Sequence, residues 1–257
     1  MTLPPVDPQW WQTLFDELYL LTDARSVQDQ AVTGQEVDAL IAALDLRPHE
    51  VILDLCGGHG RHALELARRG FARITVLDFS ASLVHHGLAQ ARREGLPVAF
   101  VRADARAAPL AGAAFDAAAL LANSFGYGAM PEDDVQILRE AWRVLKPGGR
   151  LFMEVADPDY VRRHLPRQSW HEAGDLVICR QRWPGDDALV CREMVLCRRQ
   201  GLLRDRTYQM RLYEPAALAQ CLQQAGFDQV HAASPAGAAS ESERGSLTRR
   251  LALAARK

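Results

Sequence analysis

From Glu50 onward, short apolar runs alternate with segments whose apolar residues recur every three or four positions. That rhythm is the mark of βαβ units, in which a mostly parallel sheet is covered by helices on both faces. The apolar runs predict strands at 51–55 (VILDL), 73–78 (RITVLD), 98–102 (VAFVR), 115–121 (FDAAALL) and 150–155 (RLFMEV). Ser80 is placed to cap a helix that carries Leu83, Val84, Leu88 and Ala91 and stops at Gly95. A second helix opens with Pro131 and the acids Glu132, Asp133 and Asp134, shows Val135, Leu138, Trp142 and Leu145 on one face, and ends at Pro147-Gly148-Gly149.

Past the fifth strand the rhythm changes. Residues 175–213 read as three strands joined at Pro184-Gly185-Asp186-Asp187 and near Gln200-Gly201, an antiparallel meander by its turn chemistry. The βα pattern then returns with a helix over 214–225, a strand near 229–232 and a last strand in LTRRLALAARK, while 233–246 reads as a mobile loop. The chain is thus expected to be a single α/β domain built on a doubly wound, mostly parallel, seven-stranded sheet. Residues 1–47 form a helical cover, 48–157 and 214–257 the core, and 158–213 an antiparallel cap. The cap follows the carboxyl end of a sheet strand, the edge at which open α/β sheets bind ligands, so it is expected to lie over the pocket. In the cover, one helical segment carries Trp10, Trp11, Leu14, Phe15, Leu18 and Tyr19, and another carries Val37, Leu40, Ile41 and Leu44. The aromatics suit either packing on the sheet or a lid that brings Tyr19 over a bound ligand.

Composition narrows the field by exclusion. A formal net charge of −2 over 257 residues disfavours nucleic acid and anionic lipid as partners. No apolar run is long enough to span a bilayer, and MTLPPVDPQWW lacks the basic-then-apolar layout of a signal peptide, so a cytoplasmic protein is expected. The five cysteines include no C-x-x-C pair, and His59, His62, His85 and His86 lack the ligand spacing of a zinc site; no metal is expected. His62 reads as a first-turn residue bonding locally.

The chemistry is concentrated in LDLCGGHGRHA, residues 53–63. A strand ending in a glycine-rich turn that opens a helix brings backbone N–H groups close to a ligand, and two cofactor classes use that device. Asp54, directly before the turn, separates them by charge, since a carboxylate repels a pyrophosphate and attracts an ammonium or sulfonium. At this point the chain resembles the class I S-adenosylmethionine-dependent methyltransferases, whose loop has the form acidic-x-G-x-G-x-G; here it is Asp54, Cys56, Gly58 and Gly60, with cysteine in place of the first glycine. The resemblance covers about residues 50–155 and implies a Rossmann-like fold that binds S-adenosylmethionine and releases S-adenosylhomocysteine. It implies further that Asp78 grips the ribose hydroxyls, Phe79 lies against the adenine, Asp104 takes the adenine amino group beside the Ala105 backbone, and Leu121, Ala122 and Asn123 line the methionine arm. Arg61 is a candidate for the methionine carboxylate.

The resemblance points to transfer of a methyl group to an O or N atom of a small-molecule acceptor. NSFG at 123–126 lacks both prolines of the N-P-P-Y motif used by amine methyltransferases that act on nucleobases, which keeps nucleic acid behind a small molecule. Alternatives are an NAD(P)-dependent oxidoreductase, which needs Asp54 turned away, and a cofactor-binding protein without transferase activity. Over the pocket, Tyr127, His171, Tyr208, Arg211 and Tyr213 are candidates. His171 is named as a catalytic base for its ability to titrate near neutrality, and Tyr127 beside it as a second catalytic candidate. In TYQMRLY, period two places Tyr208, Met210 and Leu212 on one face and Thr207, Gln209, Arg211 and Tyr213 on the other.

Overall fold

A computed structural model describes residues 3–23, 28–234 and 249–257 of the chain. The expected strands form: β1 (Ile52–Leu55), β2 (Ile74–Asp78), β3 (Val98–Arg102), β4 (Phe115–Leu120), β5 (Leu145–Ala156), β10 (Asp228–Ala233) and β11 (Arg250–Arg256). They make one seven-stranded sheet in the order β10-β11-β5-β4-β1-β2-β3, parallel except for β11, which runs antiparallel to both its neighbours. The mostly parallel sheet agrees with the expectation. The strand order reverses between β1 and β4, which opens a crevice at their carboxyl ends.

Alternation along each strand divides the core in two. On one face Leu53, Leu55, Ala118, Leu120, Leu151 and Met153 pack with Leu138 and Val144 of α6 (Pro131–Val144) and Leu218 and Leu222 of α8 (Pro215–Gln224). On the other, Ile52, Val76, Ala117 and Phe152 meet α3 (Gln30–Leu44), α4 (Arg61–Arg68) and α5 (Ala81–Glu94). Period two puts Asp54 on this second face with Ile52, below α4. Helix punctuation follows the sequence: Ser80 Oγ accepts the Leu83 amide at 3.1 Å, and Gly95 closes α5 in the left-handed conformation.

Three expectations are corrected. The first aromatic segment is two short helices, α1 (Trp11–Leu14) and α2 (Glu17–Thr22), because the Asp16 side chain accepts the Tyr19 amide at 3.2 Å and starts a new turn. β5 begins five residues earlier than the apolar run, since Leu145 already pairs with Phe115 before the register shifts at Pro147-Gly148-Gly149. The cap extends beyond the three strands expected over 175–213, which form as β7 (Leu176–Pro184), β8 (Ala188–Cys197) and β9 (Gly201–Arg211): a fourth, β6 (Gln168–Ala173), precedes them in the antiparallel sheet, reached through α7 (Pro158–Arg163). β6 reads QSWHEA, whose inward positions are Ser169, His171 and Ala173, so no apolar alternation announces it. The loop expected at 233–246 lies outside the described residues from 235 onward. Among the described residues no helix is long and apolar enough to cross a membrane.

Candidate active site

The crevice at the β1–β4 switch point is a cleft floored by the glycine-rich loop and lined by Asp54, Cys56, Gly58, Arg61, Asp78, Phe79, Asp104, Ala105 and Tyr127 among others. The loop's shape explains its residues. A Cβ on Gly60 would stand 2.9 Å from the Phe100 ring, and one on Gly57 would stand 2.5 Å from Asp54 Cγ, so the backbone lies directly against the Asp54 carboxyl group. Cys56 occupies the first loop position at φ 56, the left-handed region that favours glycine. The substitution is therefore tolerated at about 1–2 kcal/mol of backbone strain.

Asp54 is the most unusual group in the cleft. It is 2% exposed, and neither of its oxygens has a hydrogen-bond partner of good geometry among the described residues. Burial and the neighbouring Asp78 push its carboxyl up to about 7, with Arg61 and the Ala63 amide pulling the other way. The Cys56 thiol is likewise held neutral, raised by burial and by Asp78, Asp54 and Asp104. Four carboxyl groups, Asp54, Asp78, Asp104 and Asp133, thus line the cleft with two arginines, Arg61 and Arg106, a field that attracts cations.

Asp78 ends β2 and is fixed by the loop itself: Oδ2 accepts the Gly58 amide and Oδ1 the Ser80 amide, both at 2.8 Å. Burial raises its pKa against those amides, and the carboxylate keeps lone pairs for O–H donors from a ligand. Phe79 follows, met edge-on by Trp11 at 4.8 Å between ring centroids. Asp104 follows β3, caps the turn at Ala105–Ala107 and is bound by Arg106 at 2.7 Å, which lowers its pKa. After β4, Leu121 and Ala122 line the cleft, whereas Asn123 is buried behind them at φ 62 and does not.

Above the loop, α1 and α2 form a lid. Trp11, Phe15 and Tyr19 line the cleft, while Val37, Leu40 and Leu44 of α3 pack into the sheet core, so each of the two readings of the N-terminal cover holds for one segment. Ser80 Oγ donates to the Phe15 carbonyl at 2.5 Å, tying lid to cofactor loop. On the far side the lid is fastened to the cap by charge: Arg204 to Asp16 at 2.5 Å and Arg180 to Asp23 at 2.7 Å, both arginines also reaching the buried Glu193. Trp10 packs against Tyr127 and Tyr208, with centroids 5.0 and 5.3 Å apart.

Of the five candidates over the pocket, only Tyr127 lines the cleft, and burial raises its phenol. Tyr208 faces Trp10; Arg211, on the opposite face of β9, and Tyr213, just past its end, both bond Asp134 at the start of α6, the Tyr213 hydroxyl at 2.6 Å. His171 sits on β6 with Nε2 3.0 Å from the Thr22 carbonyl and is not brought to the cleft. His62 bonds Glu36 of α3 at 2.9 Å, not a local group, and burial with the Arg61 charge lowers its pKa. No group of three or more potential ligands able to hold a metal ion occurs among the described residues.

Residues 52–149 match the family described as Methyltransferase domain, the same stretch that supplies β1 to the start of β5 and the floor of the cleft. That stretch is similar to a methyltransferase domain. The methyltransferase fold extends over nearly the whole chain. An S-adenosylmethionine-dependent methyltransferase of Clostridium acetobutylicum superposes with a TM-score of 0.73 at 16% identity, covering 93% of this chain and 96% of that one. The sugar N-methyltransferase KedS8 of a Streptoalloteichus species does so at 0.68 and 17%, covering 100% and 97%. In sequence, a ubiquinone/menaquinone biosynthesis C-methyltransferase of Allorhizobium ampelinum is 42% identical over 131 residues, 47% of this chain and 49% of its own length. The chain therefore spans about half the length of the curated relatives it matches.

The sequence reading missed the contribution of α3. Thr33 and Glu36 are buried polar residues on an otherwise apolar helix face, in contact with Arg61 and His62. A glutamate inside an apolar stripe was the available signal, because a carboxylate there requires a partner.

Proposed function

We propose that the protein transfers a methyl group from S-adenosylmethionine to an O or N atom of a small-molecule acceptor. The observation that carries this reading is the buried Asp54 carboxyl, with no hydrogen-bond partner of good geometry on either oxygen among the described residues, at the floor of a cleft that also presents Arg61. An acid and a base side by side suit the zwitterionic end of an amino acid, ammonium against Asp54 and carboxylate against Arg61. A dinucleotide would bring a pyrophosphate against Asp54 and Asp78, with Arg61 the one arginine of the loop to meet it, which is unfavourable. Asp78, held by two loop amides, is preorganised to accept the two ribose hydroxyls, and Phe79, Asp104 and Ala105 form the edge for the adenine.

Bound there, S-adenosylmethionine supplies an electrophilic methyl group on a positively charged sulfur. What remains for the chain is alignment and exclusion of water. Trp11, Phe15 and Tyr19 close the cleft from above, and Tyr127, held between Gly126 and Gly128, borders the space left for the acceptor. Arg211 fixes that turn from both sides, its amide on the Gly126 carbonyl at 2.8 Å and Nη2 on the Gly128 carbonyl at 3.2 Å. Burial keeps the Tyr19 and Tyr127 phenols protonated, so they orient an acceptor as donors and do not remove its proton at neutral pH. This favours a neutral amine, or an acceptor that reaches the site already ionised, over an unactivated alcohol.

One observation favours a second reading, a cofactor-binding protein without transferase activity. Trp10 fills the space between Tyr127 and Tyr208 and closes the acceptor side. The test separates the two. Incubation with S-adenosylmethionine carrying an isotopic methyl label and a panel of small amines, phenols and activated carbon acids is expected to give a labelled product, best with amines. Tight cofactor binding with no labelled product from any acceptor would favour the second reading.

A further inference from the structure

We propose that Glu36, on α3 and outside the glycine-rich loop, is a positioning residue for the cofactor, fixing the Arg61 guanidinium where it meets a carboxylate entering the cleft. The inference rests on the cofactor reading above and adds a residue that the loop motif does not contain.

Arg61 is the first residue of α4, directly after Gly60, and its side chain is a partition. On one side lies the cleft; on the other lies a polar groove lined by Gln28, Gln30, His59, Glu65, Arg68 and Arg93, to which Arg61 is equally adjacent. A long flexible side chain with a carboxylate-bearing groove behind it needs restraint to stay on the cleft side. α3 supplies that restraint from two successive turns. Thr33 Oγ1 accepts a hydrogen bond from Arg61 Nη1 at 2.8 Å, and Glu36 Oε2 forms an ion pair with the same nitrogen. Both contacts occupy Nη1, and among the described residues no hydrogen bond is made at the Nε–Nη2 edge of the guanidinium, the edge suited to bidentate capture of a carboxylate.

Glu36 is itself immobilised. It is 4% exposed, Oε2 also meets His62 Nε2 at 2.9 Å, and Oε1 accepts from Arg250 of β11 at 2.8 Å; Arg250 in turn reaches Glu154 of β5 at 3.0 Å. With His62 neutral, two arginines balance two glutamates across four elements, α3, α4, β5 and β11. Burial alone would raise the Glu36 pKa, but the His62 hydrogen bond and the Arg250 and Arg61 charges hold it well below the ordinary carboxylate range, so the restraint is charged across the working pH range.

The experiment is titration calorimetry with two ligands, S-adenosylhomocysteine and 5′-methylthioadenosine, which shares the nucleoside but lacks the amino-acid end. Glu36→Gln is expected to weaken S-adenosylhomocysteine about tenfold, which is about 1.4 kcal/mol, and to leave methylthioadenosine within about twofold of the unmodified protein. Thr33→Val, which spares every ion pair and serves if Glu36→Gln does not fold, is expected to weaken S-adenosylhomocysteine alone by about threefold. Equal weakening of both ligands, or unchanged binding of S-adenosylhomocysteine, would overturn the positioning role and leave Glu36 a structural residue. Should the unmodified protein bind neither ligand, the cofactor reading fails first and takes this inference with it.

Discussion

The two walls of the cleft are built in opposite ways. The cofactor wall is made by backbone: Gly58 and Ser80 amides hold Asp78, Gly57 lies against Asp54, and positive φ angles at Cys56, Gly58 and Gly60 shape the turn. The contacts that hold Asp54 and Asp78 are local or join neighbouring strands. The opposite wall, the lid with Trp11, Phe15 and Tyr19, is held from behind by side chains from distant parts of the chain, Asp16 and Asp23 with Arg204 and Arg180, Trp10 with Tyr127 and Tyr208. A backbone site recognises what is constant in a reaction, and a side-chain wall can be exchanged without disturbing it. Lesions in the first wall should therefore strike ligand affinity, and lesions in the second should strike stability and acceptor use.

The largest effect is expected in the cap. Arg180→Ala leaves Glu193 buried with only Arg204 at 3.3 Å, and should lower stability by about 3 kcal/mol or more by chemical denaturation. A variant as stable as the parent would show that the cap wall is not held by charge. Asp54→Asn should do the reverse on the cofactor wall. A carboxyl moved from 3.8 to about 7 opposes folding when ionised, so the amide variant should be more stable above neutrality, by up to about 4 kcal/mol, while losing most of its affinity for S-adenosylhomocysteine.

The same group fixes a pH dependence. Because the folded-state pKa of Asp54 is raised, the folded protein holds a proton that the unfolded chain has released, so this group's contribution to stability falls as pH rises from about 4 to about 7. Ligand binding has the opposite slope. An ammonium needs the ionised carboxylate, so affinity for S-adenosylhomocysteine should weaken by up to about tenfold per pH unit below about 7, with proton release on binding, measurable by calorimetry in two buffers. A flat profile would place the ammonium elsewhere. The smallest effect is expected at Cys56→Gly, which relieves a left-handed non-glycine residue at the expense of a looser unfolded chain and should stabilise by less than about 1 kcal/mol.

The contrast between the walls also explains what the sequence disclosed. The strands along the chain, the loop, Asp54 and Asp78 are legible because their determinants are contiguous: an apolar run, a glycine at a forced φ, an acid at a strand end. β6 was not legible, since Ser169, His171 and Ala173 give no apolar alternation. Nor was the placement of His171, which depends on Thr22, 149 residues away. Asn123 shows the limit within the motif itself, because consecutive left-handed residues at Ala122 and Asn123 turn its side chain out of the cleft while its neighbours stay in. The Glu36–Arg61 pair joins residues whose relation only the packing of α3 on α4 reveals.

The central claim is that this glycine-rich loop receives the cationic end of S-adenosylmethionine and not a pyrophosphate. Thermal unfolding with S-adenosylhomocysteine and with NAD(P), each in excess, tests it most directly. At about 100 times its dissociation constant S-adenosylhomocysteine should add about 2.7 kcal/mol, a shift of several degrees that Asp78→Ala removes, with no response to NAD(P). Stabilisation by NAD(P) alone would mean that Asp54 does not select for positive charge, and the cofactor reading would be wrong.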